Sequence, residues 1–291
     1  MTAITAAPPA GARGKQRRSS SWTIMPATYL ASIVILGLTV VPLLYVFLDG
    51  ARSTAQISAN STALPNPWVW SNYGTILTTA AFWEFLGNSA LIATVATVLA
   101  VGLGSMAAFA LSRYVFRGRE VVFTLFISGL LFPLQIAALP LFLQLQLMGL
   151  LDNQFGVALP EAAFSLPITI LILRPFMRGI PGDLEDAAMV DGASRLRFFA
   201  QILLPMCKPA LVTVALLAFV TSWNQFLLPL LVFSTQSHFT LPLGVSTFQS
   251  TYSSNTALIL AFTALAAVPA LAVFLWGQRY LVAGASGAVK G

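Results

Sequence analysis

The chain has 291 residues, of which 57% are hydrophobic and only 8% charged, and its formal net charge is +6 at pH 7. A soluble domain carries about 25% charged residues, so this composition excludes a soluble enzyme, a disordered chain and a disulfide scaffold; it indicates an all-α integral membrane protein. One cysteine (Cys207) and one histidine (His238) exclude an internal disulfide and leave no basis for a metal site or a Ser/His or Cys/His catalytic pair, while basic residues dispersed between apolar runs disfavour nucleic acid as a partner.

Residues 1–23 form a basic, Ser-rich tail with Arg13, Lys15, Arg17 and Arg18. The apolar run that follows is too long for a secretory core and lacks a small-residue cleavage site, so it is expected to stay as an uncleaved span. Six transmembrane helices are predicted from runs long enough to cross a bilayer core: Ala27 to Leu48, Ser89 to Leu111, Val121 to Pro140, Val157 to Phe176, Pro209 to Phe233, and Leu258 to Trp276. The segment Ala51 to Phe82 reads as the longest external loop, with Trp68, Trp70, Tyr73 and Trp83 suited to a membrane interface.

The fourth span is the least apolar, because it contains Glu161, Arg174, Pro160 and Pro167. A central charge costs roughly 2.5–3.5 kcal/mol, whereas each Leu, Ile, Phe or Val returns about 0.3–0.6, and the two charges sit near opposite ends. Charge distribution supports the span: with it in place, all of the 15 basic residues except Arg52 fall on one side. The positive-inside rule then places both termini in the cytoplasm.

Between the fourth and fifth spans lies a segment (residues 181–205) that is too structured for a simple connector. It holds Asp183, Glu185, Asp186 and Asp191 out of nine acidic residues in the chain. Two short helices are predicted. Asp183 caps the first, Asp186 occupies its third position near the positive end of the dipole, and Gly192 ends it in a left-handed conformation. Ser194 caps the second, and Pro205 and Pro209 bound it. Leu184, Ala187, Ala188 and Asp191 share a small, flat face, whereas Leu196, Phe199 and Leu203 form an apolar stripe beside Arg195 and Arg197. This pattern suits either a docking knob for a cytosolic protein or an amphipathic connector lying on lipid headgroups.

The segment resembles the EAA loop of permease subunits of ATP-binding-cassette importers. In this chain Asp186-Ala187-Ala188 is followed after three residues by Gly192 and after nine more by Ile202-Leu203-Leu204-Pro205; Asp186 stands where the family usually has Glu. Asn88-Ser89, Ser112-Arg113-Tyr114, Trp223-Asn224-Gln225-Phe226, Gln278-Arg279-Tyr280 and the end at Gly287-Ala288-Val289-Lys290-Gly291 resemble the sugar-permease branch, in particular the maltose-type smaller subunit.

The resemblance implies the type I importer permease fold with cytoplasmic coupling helices. Residues 24–278 would form the membrane domain and 279–291 a cytoplasmic tail, in a bacterial cytoplasmic membrane. It further implies import of a di- or oligosaccharide or glycerol-phosphate-type solute. The implied partners are a second homologous permease subunit, two ATPase subunits and an extracytoplasmic solute-binding protein, besides membrane lipid. ATP and Mg would sit on the ATPases, with no cofactor on this non-catalytic chain. Coupling would fall to Glu185, Asp186, Ala187, Ala188, Asp191, Gly192, Arg197, Phe199 and Pro205.

Asn88, Ser89, Gln135, Thr221, Ser222, Trp223, Asn224 and Gln225 are candidates for a solute path, since sugars are bound by neutral polar groups and aromatic faces. The same residues suit hydrogen bonds between helices, worth about 0.6 kcal/mol each. A secondary, ion-coupled transporter is the rival reading. It calls for ionisable groups within the bundle, where Glu161 and Arg174 are the candidates.

Overall fold

The computed structural model describes residues 21–252 and 255–288, with the side chains of 21–27, 247, 248, 250 and 279–288 outside that description. Among the described residues the regular structure is helical: α1 (Ser21–Gly50), α2 (Thr54–Ala59), α3 (Ser71–Thr78), α4 (Ala80–Arg113), α5 (Arg119–Ser128), α6 (Leu134–Leu147), α7 (Gln154–Arg178), α8 (Asp183–Val190), α9 (Arg195–Phe198), α10 (Leu204–Met206), α11 (Lys208–Trp223), α12 (Leu227–Val232), α13 (Leu241–Thr251) and α14 (Thr256–Ala288). The chain divides into two compact units, Met1–Tyr45 and Val46–Gly291. Within the first, α1 carries exposed apolar side chains such as Leu30, Ile33, Leu36 and Leu38, as a lipid-facing helix does. The predicted basic tail lies largely outside the described residues.

Four helices are long and apolar enough to cross a membrane: Thr28–Gly50, Ala80–Arg113, Gln154–Arg178 and Thr256–Gln278. Two bent pairs complete a set of up to six, Arg119–Leu131 with Leu134–Leu147 at 101° and Arg195–Met206 with Lys208–Trp223 at 81°. The chain is a multi-pass, all-α membrane protein.

Three spans differ from expectation in their boundaries. The third span is not one rod over Val121 to Pro140. Pro133 has no N–H to continue the helix and pushes Phe132 into extended backbone (φ −94°, ψ 104°), so α5 and α6 meet at an elbow. The fifth ends at Trp223 rather than Phe233, because Asn224 leaves helical geometry and a separate short helix, α12, follows. The second span begins earlier than its apolar core suggests: α4 starts at Ala80 and has 34 residues, about 50 Å at 1.5 Å per residue, so it outreaches the hydrocarbon layer. The predicted C-terminal tail continues as helix to Ala288.

The least apolar span occupies the centre. Among the four long helices α7 is the most buried. Its weak hydropathy follows from that position, since Glu161 and Arg174 face protein rather than lipid. Its neighbour α4 presents Ala93, Ala96, Ala100, Gly104 and Ala108 at three- and four-residue spacing, all buried. A Cβ on Gly104 would come within 2.5 Å of the Thr169 methyl, so only glycine permits this approach of α4 to α7. Ala100, Ala162 and Ala218 meet where α4, α7 and α11 pack together.

Arg52, the arginine predicted to lie opposite the other basic residues, is fully buried. Arg52 pairs with Asp49 at 2.7 Å and donates to the carbonyls of Gln56 and Asn60. It thereby organises the predicted external loop, which contains α2 and α3.

Candidate functional site

The segment between α7 and α11 begins with Gly182 in helical geometry ahead of α8. Asp183 is therefore the first helical residue and not the cap, and Asp186 sits one position further in than predicted. Asp183, Glu185 and Asp186 still complement the positive end of the helix dipole. Gly192 ends α8 at φ +80°. Its N–H reaches the Met189 carbonyl at 3.0 Å and the Ala193 N–H reaches Ala188 at 2.9 Å, so the carbonyls at the end of α8 are satisfied by two crossed bonds. Ser194 caps α9, its hydroxyl oxygen accepting from the Arg197 N–H at 3.3 Å.

The second predicted helix runs past Pro205. It comprises α9, a π-helical turn over Phe199–Leu203, and α10; Cys207 then turns the chain into α11. The wider turn changes the predicted stripe. Phe199 and Leu203 face inward, but Leu196 is 69% exposed and Phe198, which sequence spacing missed, is 0% exposed. Phe198, Phe199 and Leu203 join Ala108, Phe109, Leu173, Met177 and Ala188 in one apolar cluster. The rings of Phe109 and Phe199 lie 4.8 Å apart.

Polar contacts fix the same joint. Arg113, at the end of α4, donates to the Ile180 carbonyl at 2.9 Å and lies 3.9 Å from the Glu185 carboxylate. The Arg195 guanidinium sits over the Tyr114 ring at 4.9 Å. Arg174 donates to the Leu111 carbonyl at 3.1 Å, pairs with Glu120, and covers the Phe123 ring.

These contacts sort the loop residues. Ala188 and Phe199 are turned into the core, which makes them anchors, and Glu185 is half-buried against Arg113. Asp186, Ala187, Asp191, Gly192, Arg197 and Pro205 are exposed. Beside them Leu184, Met189, Val190 and Leu196 are exposed apolar side chains, Val190 at 88%. A rigidly seated pair of short helices thus carries an uncovered apolar surface.

The polar residues of the spans separate equally clearly. Thr221, Ser222 and Gln225 line a cavity of about 60 Å³ together with Leu134, Glu161, Phe164, Ser165 and Leu228. Asn88 instead donates to the carbonyls of Ser237 and Phe239 at 2.7 and 3.0 Å, and the Ser89 hydroxyl accepts from the Leu241 N–H. Trp223 stacks on Phe219, and its indole N–H reaches the Ala266 carbonyl at 3.3 Å. The Asn224 side-chain amide donates to the Val220 carbonyl in the last turn of α11 at 2.8 Å. Gln135 is exposed and lies outside the cavity wall. Glu161, considered from sequence only as an ion-coupling group, is the buried polar residue that accompanies the three cavity candidates.

Residues 100–286, which include the whole two-helix loop and the cavity, match the family described as binding-protein-dependent transport system inner membrane component. The chain belongs to this family. The permease is 35% identical to the diacetylchitobiose uptake system permease protein NgcG of Streptomyces coelicolor over 86% of its own length and 83% of that protein. It is 36% identical to the arabinooligosaccharides transport system permease protein AraQ of Halalkalibacterium halodurans, covering 87% and 92% of the two chains. With the trehalose transport system permease protein SugB of Mycobacterium tuberculosis it shares 34% identity over 94% and 99%. The permease also shares its fold with a chain of a bacterial ABC transporter involved in alginate import, at a TM-score of 0.75 and 24% identity, over 94% and 99% of the two chains. It is a membrane permease subunit of an ABC importer.

Proposed function

We propose that this permease carries an oligosaccharide or related sugar into the cytoplasm, driven by two ATPase subunits that grip α8 and α9. The anchored loop with its exposed apolar surface is the observation that carries this reading. Phe198 and Phe199 tie the loop to α4 and α7, so a push on the loop moves the spans. Leu184, Met189, Val190 and Leu196 offer the surface on which a protein can push. A loop lying on lipid headgroups would not need such a seat.

In this reading the arginine-rich side and both termini are cytoplasmic. ATP and Mg are held by the ATPases, and this chain performs no chemistry of its own. A second homologous permease subunit completes the pore, and a solute-binding protein delivers the sugar from outside. The named substrates of the relatives, diacetylchitobiose, arabinooligosaccharides and trehalose, support a saccharide cargo. Ion coupling rests on Glu161 alone, since Arg174 is already held by Glu120 and the Leu111 carbonyl.

The test is reconstitution of the permease with its partner subunits in liposomes. Sugar-stimulated ATP hydrolysis and ATP-dependent sugar uptake are expected, and Val190→Asp and Leu196→Asp should each reduce recovery of the ATPase with the permease. Uptake that persists without ATP and stops when a proton gradient is collapsed would replace this reading with ion-coupled transport.

A further inference from the structure

Glu161 lies on α7, seven residues beyond its start at Gln154, or about 10 Å along the axis at 1.5 Å per residue. It is 5% exposed. One carboxylate oxygen, Oε2, accepts a hydrogen bond from the Ser222 hydroxyl. The other, Oε1, is buried and has no hydrogen-bond partner among the described residues. A buried carboxylate oxygen without a donor is costly, so this position calls for one.

The donor has a place to sit. Glu161 forms part of the wall of the cavity of about 60 Å³, with Ser165, Thr221 and Gln225 as further polar groups. Two helix discontinuities meet there: Leu134 opens α6 just after the Pro133 break, and Gln225 lies between α11 and α12. Broken helices at membrane depth are tolerated where they line a cavity. Water occupies about 30 Å³ per molecule in the liquid, so the cavity accepts a hydroxyl or hydroxymethyl group but not a whole sugar ring. Phe164 and Thr221 line the cavity and are themselves exposed, which puts an aromatic face where a ring would remain outside.

Building on the importer reading above, we propose that this cavity is a subsite of the solute path. Oε1 of Glu161 accepts a hydrogen bond from a hydroxyl of a passing neutral saccharide while Phe164 supports the ring. A saccharide presenting a carboxylate, sulfonate or phosphate there is turned away, because the wall holds no cation to replace the hydration that the anion loses.

The assembled importer in liposomes, with its ATPases and binding protein, tests this with radiolabelled neutral disaccharides and a uronate-bearing disaccharide. Wild type should import a neutral sugar in preference to the acidic one. Glu161→Ala should lower neutral import about tenfold and narrow the neutral-to-acidic ratio, with Glu161→Gln intermediate. The thermal midpoint of the complex should hold in both variants. Unchanged import in both variants would overturn the subsite. So would an equal loss for every solute with a lowered midpoint, which would assign Glu161 and Ser222 to helix packing. A wild-type assembly that hydrolyses ATP but imports no saccharide would instead overturn the sugar-import reading beneath it.

Discussion

Arg113 and Ile180 are joined by a hydrogen bond of 2.9 Å from the guanidinium to the backbone carbonyl, so the end of the second span holds the first residues of the α8 segment. The bond spans 67 positions of sequence and ties the end of α4 to the residues between α7 and α8. Displacing α8 therefore strains α4 and α7 together, a property that the following substitutions probe.

Phe198→Ala should detach the loop from its seat. Phe198 is fully buried in the cluster with Leu173 and Met177, and removing a ring of that kind costs about 3–5 kcal/mol. The expected result is a protein that inserts but shows a lowered thermal midpoint and sugar-independent ATP hydrolysis in the assembly. A normal midpoint would show that the ring contributes little to the seat.

Gly192→Leu should uncouple hydrolysis from uptake without preventing insertion. No neighbouring atom lies within 4 Å of the Cβ that would be added, so the penalty is conformational, at φ +80°. For an ordinary L-residue that is about 1–2 kcal/mol. Gly192→Asn should retain most coupling, because asparagine tolerates this region. Equal coupling in the two variants, measured as sugar-stimulated ATPase, would contradict the argument.

Gly104→Leu should disrupt the bundle itself. The Cβ alone would approach the Thr169 methyl to 2.5 Å, and overpacking of this type costs about 1–3 kcal/mol or more. Yield of folded protein after detergent extraction should fall well below that of Gly102→Leu, where nothing lies within 4 Å of an added Cβ. Similar yields would place the close approach elsewhere.

Asp152 should hold Ser234 and Thr235 in a pH-dependent way. Its carboxylate accepts from the Thr235 hydroxyl and from the N–H groups of Thr235 and Ser234 at 3.0 and 3.1 Å, which hold its pKa well below the usual aspartate range. A depressed folded pKa means that the fastening is fully present above the unfolded value near 3.8 and is lost as pH falls through the lower folded value. Amide exchange at Ser234 and Thr235 should stay protected down to about pH 4 and become fast at neutral pH in Asp152→Ala. Fast exchange in the wild type at neutral pH would remove the latch.

Much of this was legible in the residues. Apolar run length located the crossings, and the one-sided arginines supported α7 despite Glu161 and Arg174, because charge placement and hydropathy are independent signals. The spacing from Asp186 to Gly192 to Pro205 located the loop, and Gly192 and Ser194 have the backbone roles read from their types. Three features were not legible. The elbow at Phe132 depends on whether a proline is absorbed or breaks the helix; Pro140, Pro160 and Pro167 are absorbed and Pro133 is not. The inward turn of Phe198 depends on a π-helical turn that α periodicity cannot anticipate. The part played by Glu161 depends on long-range packing that sets α7 against Ser222.

The elbow has a mechanical consequence. A straight rod delivers thrust along its length, but two arms set at 101° fold under it, so α5 and α6 are poor drive shafts. In the importer reading proposed above, force entering at α8 and α9 travels through the straight helices α4 and α7, against which the loop is seated, while the elbow, whose far arm begins at the cavity wall with Leu134, acts as a compliant gasket that lets the wall change shape as those helices tilt.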